Sequence, residues 1–280
     1  MANHRIYQYT SIGRPLDPSF PSNKAVLILL PAAALLGSVF GWFNGGEGLD
    51  ILETALRFAL VLFGSWALAR ELAPDDPVVA FISVFAALLA AMLVDTFGLL
   101  VVFGTLGLVR IVNRTTGLQA TRIDSLAVMV LAIGVMYATD SPFFGAVAGL
   151  AFILDGTLRE PLRRQWIFGL LCIGASVVYM VDHDFTLSQI KAPATLFEWI
   201  SLLFLLIFAL DTILLKKVRS RGDVGRETLD VSRVRGGMAV GFLAALQGIN
   251  QPRGVVIMVA TIAGLCIGMA FRKGFKAPAG

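Results

Sequence analysis

The sequence predicts an all-α, polytopic transmembrane helix bundle of about ten short spans, with both termini in the cytoplasm. Three observations predict it. The chain of 280 residues is 57% hydrophobic and only 15% charged, with a mean hydropathy of +0.79, so it carries too little polar surface for water. Apolar runs recur from Ala25 to Phe271 with only short polar breaks. The basic residues gather in alternate breaks, the pattern that sets membrane orientation.

Residues 1–24 form a polar segment with Arg5, Arg14 and Lys24. The apolar run that follows, 25–44, exceeds a signal-peptide core and shows no clear cleavage site, so it is expected to stay as the first span. Residues 51–69 give the second. The stretch from Pro77 to Val109 would be about 50 Å as one helix, too long for one upright span, and is read as two, 77–93 and 96–110. The next stretch, Asp124 to Thr157, is interrupted by Asp140-Ser141-Pro142. A proline behind a polar cap starts a helix, which splits this stretch into 124–139 and 142–157. Asp75-Asp76-Pro77 and Asn250-Gln251-Pro252 repeat that grammar. The remaining spans are 166–181, 196–215, 236–249 and 253–271, followed by a tail, 272–280. Residues 25–271 therefore make a single transmembrane domain.

Charge separates ten spans from the rival reading with eight. In the ten-span topology every Lys and Arg of the 23 lies on the cytoplasmic side except Arg57, Lys191 and Arg253. Eight spans would put Arg110, Arg114 and Arg122 outside, against the positive-inside rule. The pattern places the chain in the plasma (inner) membrane, with membrane lipids as its surroundings. A net charge of +4 distributed in this way points away from nucleic acid.

Two features concern organisation. Thr121-Arg122, an apolar run and Asp140-Ser141-Pro142 resemble Ser232-Arg233, an apolar run and Asn250-Gln251-Pro252, which suggests a three-helix repeat over about 96–157 and 196–271. Gly37 and Gly41, Gly145 and Gly149, Gly237 and Gly241, and Gly264 and Gly268 are each four apart. Such Gly-xxx-Gly faces serve close packing within the bundle or a homo-oligomer.

Ionisable residues inside a membrane are the first place to look for function. Asp95, Asp155 and Asp211 are the candidates for a substrate or ion pathway. Spacing pairs Asp155 with Arg159, Asp211 with Lys216 and Arg57 with Glu53. Asp95 has no basic neighbour before Arg110 and either caps a helix or sits in the bilayer. Arg110, Arg114, Arg122, Lys216, Lys217, Arg233 and Arg235 are candidates for gripping an anionic headgroup. His183 stands between Asp182 and Asp184 on an outer loop. Cys172 and Cys266 lie in apolar runs, and no HExxH, Walker A or GxSxG motif is present. No metal site, cofactor or catalytic residue is therefore assigned. These features favour a small transporter or permease component over two alternatives, a membrane enzyme acting on a lipid-linked or phosphorylated substrate and an assembly scaffold.

Overall fold

The computed structural model describes residues 6–93, 97–186, 192–224, 227–247 and 252–276. Among these residues the fold is all-α. A 3-10 turn, Ile6–Gln8, precedes ten helices. They are α1 Pro21–Phe43, α2 Leu49–Leu72, α3 Val79–Ala91, α4 Phe97–Asn113, α5 Arg122–Ala138, α6 Pro142–Thr157, α7 Gln165–Asp182, α8 Leu196–Leu214, α9 Val231–Leu246 and α10 Pro252–Lys276. Five are long and apolar enough to cross a membrane: α1, α2, α7, α8 and the Val255–Arg272 part of α10. They coincide with the runs that the sequence shows most clearly as single spans, 25–44, 51–69, 166–181, 196–215 and 253–271. The stretch 77–109 breaks into α3 and α4 and the stretch 124–157 into α5 and α6, as its length and its proline imply.

Local chemistry explains the helix starts. Thr121 and Asp124 form a reciprocal capping box at α5, and Thr195 and Glu198 form another at α8. Pro142 occupies the first turn of α6 behind Ser141, while Asp140 turns the chain with φ of 48°. Asp230 accepts from the backbone N–H groups of Ser232 and Arg233, so α9 begins five residues before the expected 236. Arg233 and Arg235 are consequently helical. Asp75 and Asp76 do not start α3, which begins at Val79. Asp75 instead accepts from Ser220 N and Oγ at 2.8 and 2.7 Å, and Asp76 pairs with Arg272.

Helix α4 is central, packing on α2, α5, α6, α9 and α10. Its residues Val101, Val102, Leu108, Val109, Ile111 and Val112 are all fully buried. Helices α1, α7 and α8 lie outside and present Leu35, Ile167, Val181, Leu196 and Ile213 outward. The glycine pairs close seams within the chain. A Cβ on Gly37 would stand 2.6 Å from Thr54 O of α2, and one on Gly264 would stand 2.6 Å from Ser83 Cα of α3. Gly149 faces Gly169 of α7, and Gly237 faces Asn113 of α4. These faces are thus already occupied. The two segments compared as repeats differ in their neighbours: α5 packs along α6, whereas α10 packs chiefly on α3 and only marginally on α9.

Candidate functional site

Polar chemistry concentrates at one end of the bundle, where residues 6–20, the α2–α3 turn, the α4–α5 loop, residues 158–164 and the α8–α9 loop meet. Three carboxylates tie these pieces together. Asp124 accepts from Thr10 Oγ1 at 2.6 Å, Ser11 N at 2.9 Å, Ser11 Oγ at 2.8 Å and Thr121 N at 3.1 Å, which straps the N-terminal segment onto α5. Thr116 Oγ1 and Arg110 Nη1 hold the same strap through the carbonyls of Ser11 and Ile12.

Asp155, fully buried in the last turn of α6, is the second. Its Oδ1 lies 2.7 Å from both Arg114 Nη2 and Arg233 Nη1, and its Oδ2 accepts from Gln165 Nε2 at 3.1 Å. The pairing with Arg159 expected from spacing does not form. Arg159 points outward and stands 3.6 Å from Asp230, because Asp155 is turned into the bundle, where α4 and α9 supply guanidiniums. Two cations on one anion leave a surplus positive charge. Arg233 shares it with the carbonyls of Val112, Arg159 and Glu160, and Arg114 with that of Glu160, where helix ends carry partial negative charge.

The third carboxylate, Glu71 at the end of α2, is fully buried between Arg14 at 3.2 Å and Arg110 at 3.0 Å. Arg14 also clasps Asp223 with two bonds of 2.7 and 2.8 Å. Asp223 belongs to a short hairpin in the α8–α9 loop, closed by the Arg221–Thr228 bridge and docked on the carbonyls of Thr115 and Thr116.

Between the strap, α2, α4 and this hairpin lies a cavity of about 290 Å³. Its lining is partly apolar, with Leu16, Phe20, Phe63, Trp66 and Ala67, and partly polar, with Arg14, Arg70, Arg110, Glu71, Asp223 and Tyr7. Burial pushes the Tyr7 phenol above its ordinary range, with Asp223 adding to the effect, so it stays protonated. Burial opposes the charge of Arg14, but attraction to Glu71 and Asp223 outweighs it and raises the group further. Arg70 differs from the other two arginines. Its Nη1 donates to Ser22 Oγ at 2.7 Å, its guanidinium stands 5.7 Å from the centre of the Trp66 ring, and its buried Nε has no hydrogen-bond partner. Among the described residues no carboxylate pairs with it.

The residues singled out by sequence divide sharply. Asp155, Arg114 and Arg233 come together, 41 and 78 residues apart along the chain, as an internal cluster. Arg110 joins Glu71, and Arg235 bonds the Ile213 carbonyl. Arg122, Lys216 and Lys217 are exposed, and Asp211 is half-buried on α8. Asp95 lies outside the described residues. Arg57 is not paired with Glu53 but lies 5.9 Å from the Phe58 ring centre. His183 stacks on Tyr179 with ring centres 4.0 Å apart and stands 3.6 Å from Asp182. Sequence reasoning missed Glu71, Asp124, Asp223, Arg14, Arg70 and Trp66. Only Asp124 carried a readable signal, its capping-box spacing from Thr121.

Comparison with protein-family models, with curated proteins and with solved structures finds no match for this chain.

Proposed function

We propose that this is an integral membrane protein that crosses the bilayer ten times, keeps its termini and basic loops in the cytoplasm, and acts as a small transporter that accepts an anionic amphiphile at its cytoplasmic end. Arg70 carries the reading: a guanidinium beside the Trp66 ring in a partly apolar cavity, lacking the carboxylate that Arg14 and Arg110 have. Arginine binds phosphate and carboxylate through a planar, two-pronged donor face, and the apolar part of the lining suits an acyl chain beside it. The level of the cavity, at the end of the bundle where the basic loops gather, is that of lipid headgroups.

Relocation is favoured over chemical conversion because Glu71 and Asp223, two of the three carboxylates lining the cavity, are each held by a guanidinium. Glu71 sits between two guanidiniums, Asp223 is clasped by Arg14, and the Tyr7 phenol is held protonated. A general base must be free to take a proton.

Proteoliposomes carrying a fluorescent anionic phospholipid test this reading. Wild-type protein is expected to speed its exchange between leaflets over protein-free vesicles, and Arg70→Gln to reduce that rate about tenfold. Exchange no faster than in protein-free vesicles would remove transport, and equal rates in both proteins would remove Arg70 from the pathway.

A further inference from the structure

From the charge balance of the cavity we infer that its occupant is an amphiphile whose head carries a single negative charge, a phosphodiester or a carboxylate, and not a doubly charged phosphomonoester. The inference rests on the proposed function and specifies its substrate class. Four guanidiniums line the cavity, Arg14, Arg70, Arg110 and Arg221, against three carboxylates, Asp17, Glu71 and Asp223. One positive charge is left over.

The position of the surplus is equally defined. Arg14 spans Glu71 and Asp223, and Arg110 spans Glu71 and the Ile12 carbonyl, so neither can leave without exposing a buried carboxylate. Among the described residues lining the cavity two buried donors have nothing to bond, Arg70 Nε and Trp66 Nε1, and of these Arg70 carries the charge. A head with one charge neutralises it and satisfies that donor. A head with two charges would bring an uncompensated anion beside Glu71, and like charges in a sheltered site repel. A zwitterionic head would leave its own cation near Arg70.

Trp66 reports on the cavity directly, since it lies in the wall while Trp42, Trp166 and Trp199 are exposed on the outer surface. With those three changed to Phe, the full-length protein in detergent is titrated at pH 9 with four brominated probes: phosphatidylglycerol, stearate, phosphatidic acid and phosphatidylcholine. Quenching of Trp66 is expected at about tenfold lower concentration for the two singly charged probes than for the other two. The tighter of the two identifies the head as phosphodiester or carboxylate. Arg70→Gln should bring both to the level of phosphatidylcholine, and Arg70→Lys should restore part of the difference. Tighter binding of phosphatidic acid would overturn the single-charge inference while leaving an anionic site in place. Equal quenching by phosphatidylcholine would overturn it too, and quenching by none of the four would overturn the binding site itself.

Discussion

Asp155 sets the energetics of the bundle interior at the level of single residues. Among the described residues its carboxylate is the one acid on which both Arg114 and Arg233 converge, and all three side chains are almost wholly buried. Removing one partner from a buried ionic cluster costs about 3–5 kcal/mol, because the charge left behind stays buried. The three substitutions are not equivalent. Asp155→Asn leaves two guanidiniums facing each other, whereas Arg114→Gln leaves one balanced pair between Asp155 and Arg233. Thermal unfolding of the detergent-solubilised protein should therefore rank Asp155→Asn well below Arg114→Gln. Equal losses would mean that packing, not charge, governs the cluster. Asp155 itself was legible in the sequence, as an acid in an apolar run. Its partners were not, since spacing along one helix can only nominate Arg159, and the true partners come from α4 and α9. Glu71 was missed for a related reason: beside Arg70 at the end of an apolar run it reads as a boundary, and its partners Arg14 and Arg110 come from the N-terminal strap and α4.

Helices, in contrast, were legible almost throughout, because their causes are local. Apolar length, a proline behind a polar cap and the spacing of Thr121 from Asp124 act within one or two turns. The main departure, the earlier start of α9, comes from the Asp230 cap, which lies inside a basic stretch that reads as loop. What the sequence could not assign was the use of its glycines, since the Gly-xxx-Gly spacing looks alike whether a face packs within the chain or against another copy. The structure makes that distinction position by position. Gly264 meets backbone of α3, Ser83 Cα at 2.6 Å and Ile82 O at 2.8 Å, which cannot swing aside as a side chain could. Gly134 on α5 and Gly174 on α7 have nothing within 4 Å of an added Cβ. Gly264→Ala should force α3 and α10 apart and cost about 1–3 kcal/mol. Gly134→Ala and Gly174→Ala should be neutral or slightly stabilising, as expected for alanine in an open helix position. Unfolding temperatures of the three variants check the ordering, and a loss at Gly134 or Gly174 as large as at Gly264 would mean that those open faces are covered by another molecule.

At the scale of the whole molecule, the decisive quantity is the side of the membrane on which the α4–α5 loop lies. The N-terminal strap is bonded to Asp124 and Thr116, Arg164 donates to the Ala120 carbonyl, and the hairpin of the α8–α9 loop docks on Thr115 and Thr116. These contacts bring the strap and three separate loops to one face, the arrangement expected of the proposed ten crossings and not of eight. Basic residues concentrate in those same loops, so that face is expected to be cytoplasmic. Thr116 is too buried to label, whereas Gln119 in the same loop and Glu47 between α1 and α2 are exposed. With Cys172 and Cys266 replaced by Ala, Gln119→Cys should react with an impermeant thiol reagent only in inverted vesicles, and Glu47→Cys only on intact cells. Reaction of Gln119→Cys on intact cells together with Glu47→Cys would put Arg110, Arg114 and Arg122 outside. Arg110 bonds both Glu71 and the Ile12 carbonyl of the strap, so that result would also separate the proposed cavity from the cytoplasmic leaflet. Reaction on the expected sides would place Arg70 and its unpartnered donor at the depth where an anionic head meets the inner surface of the bilayer.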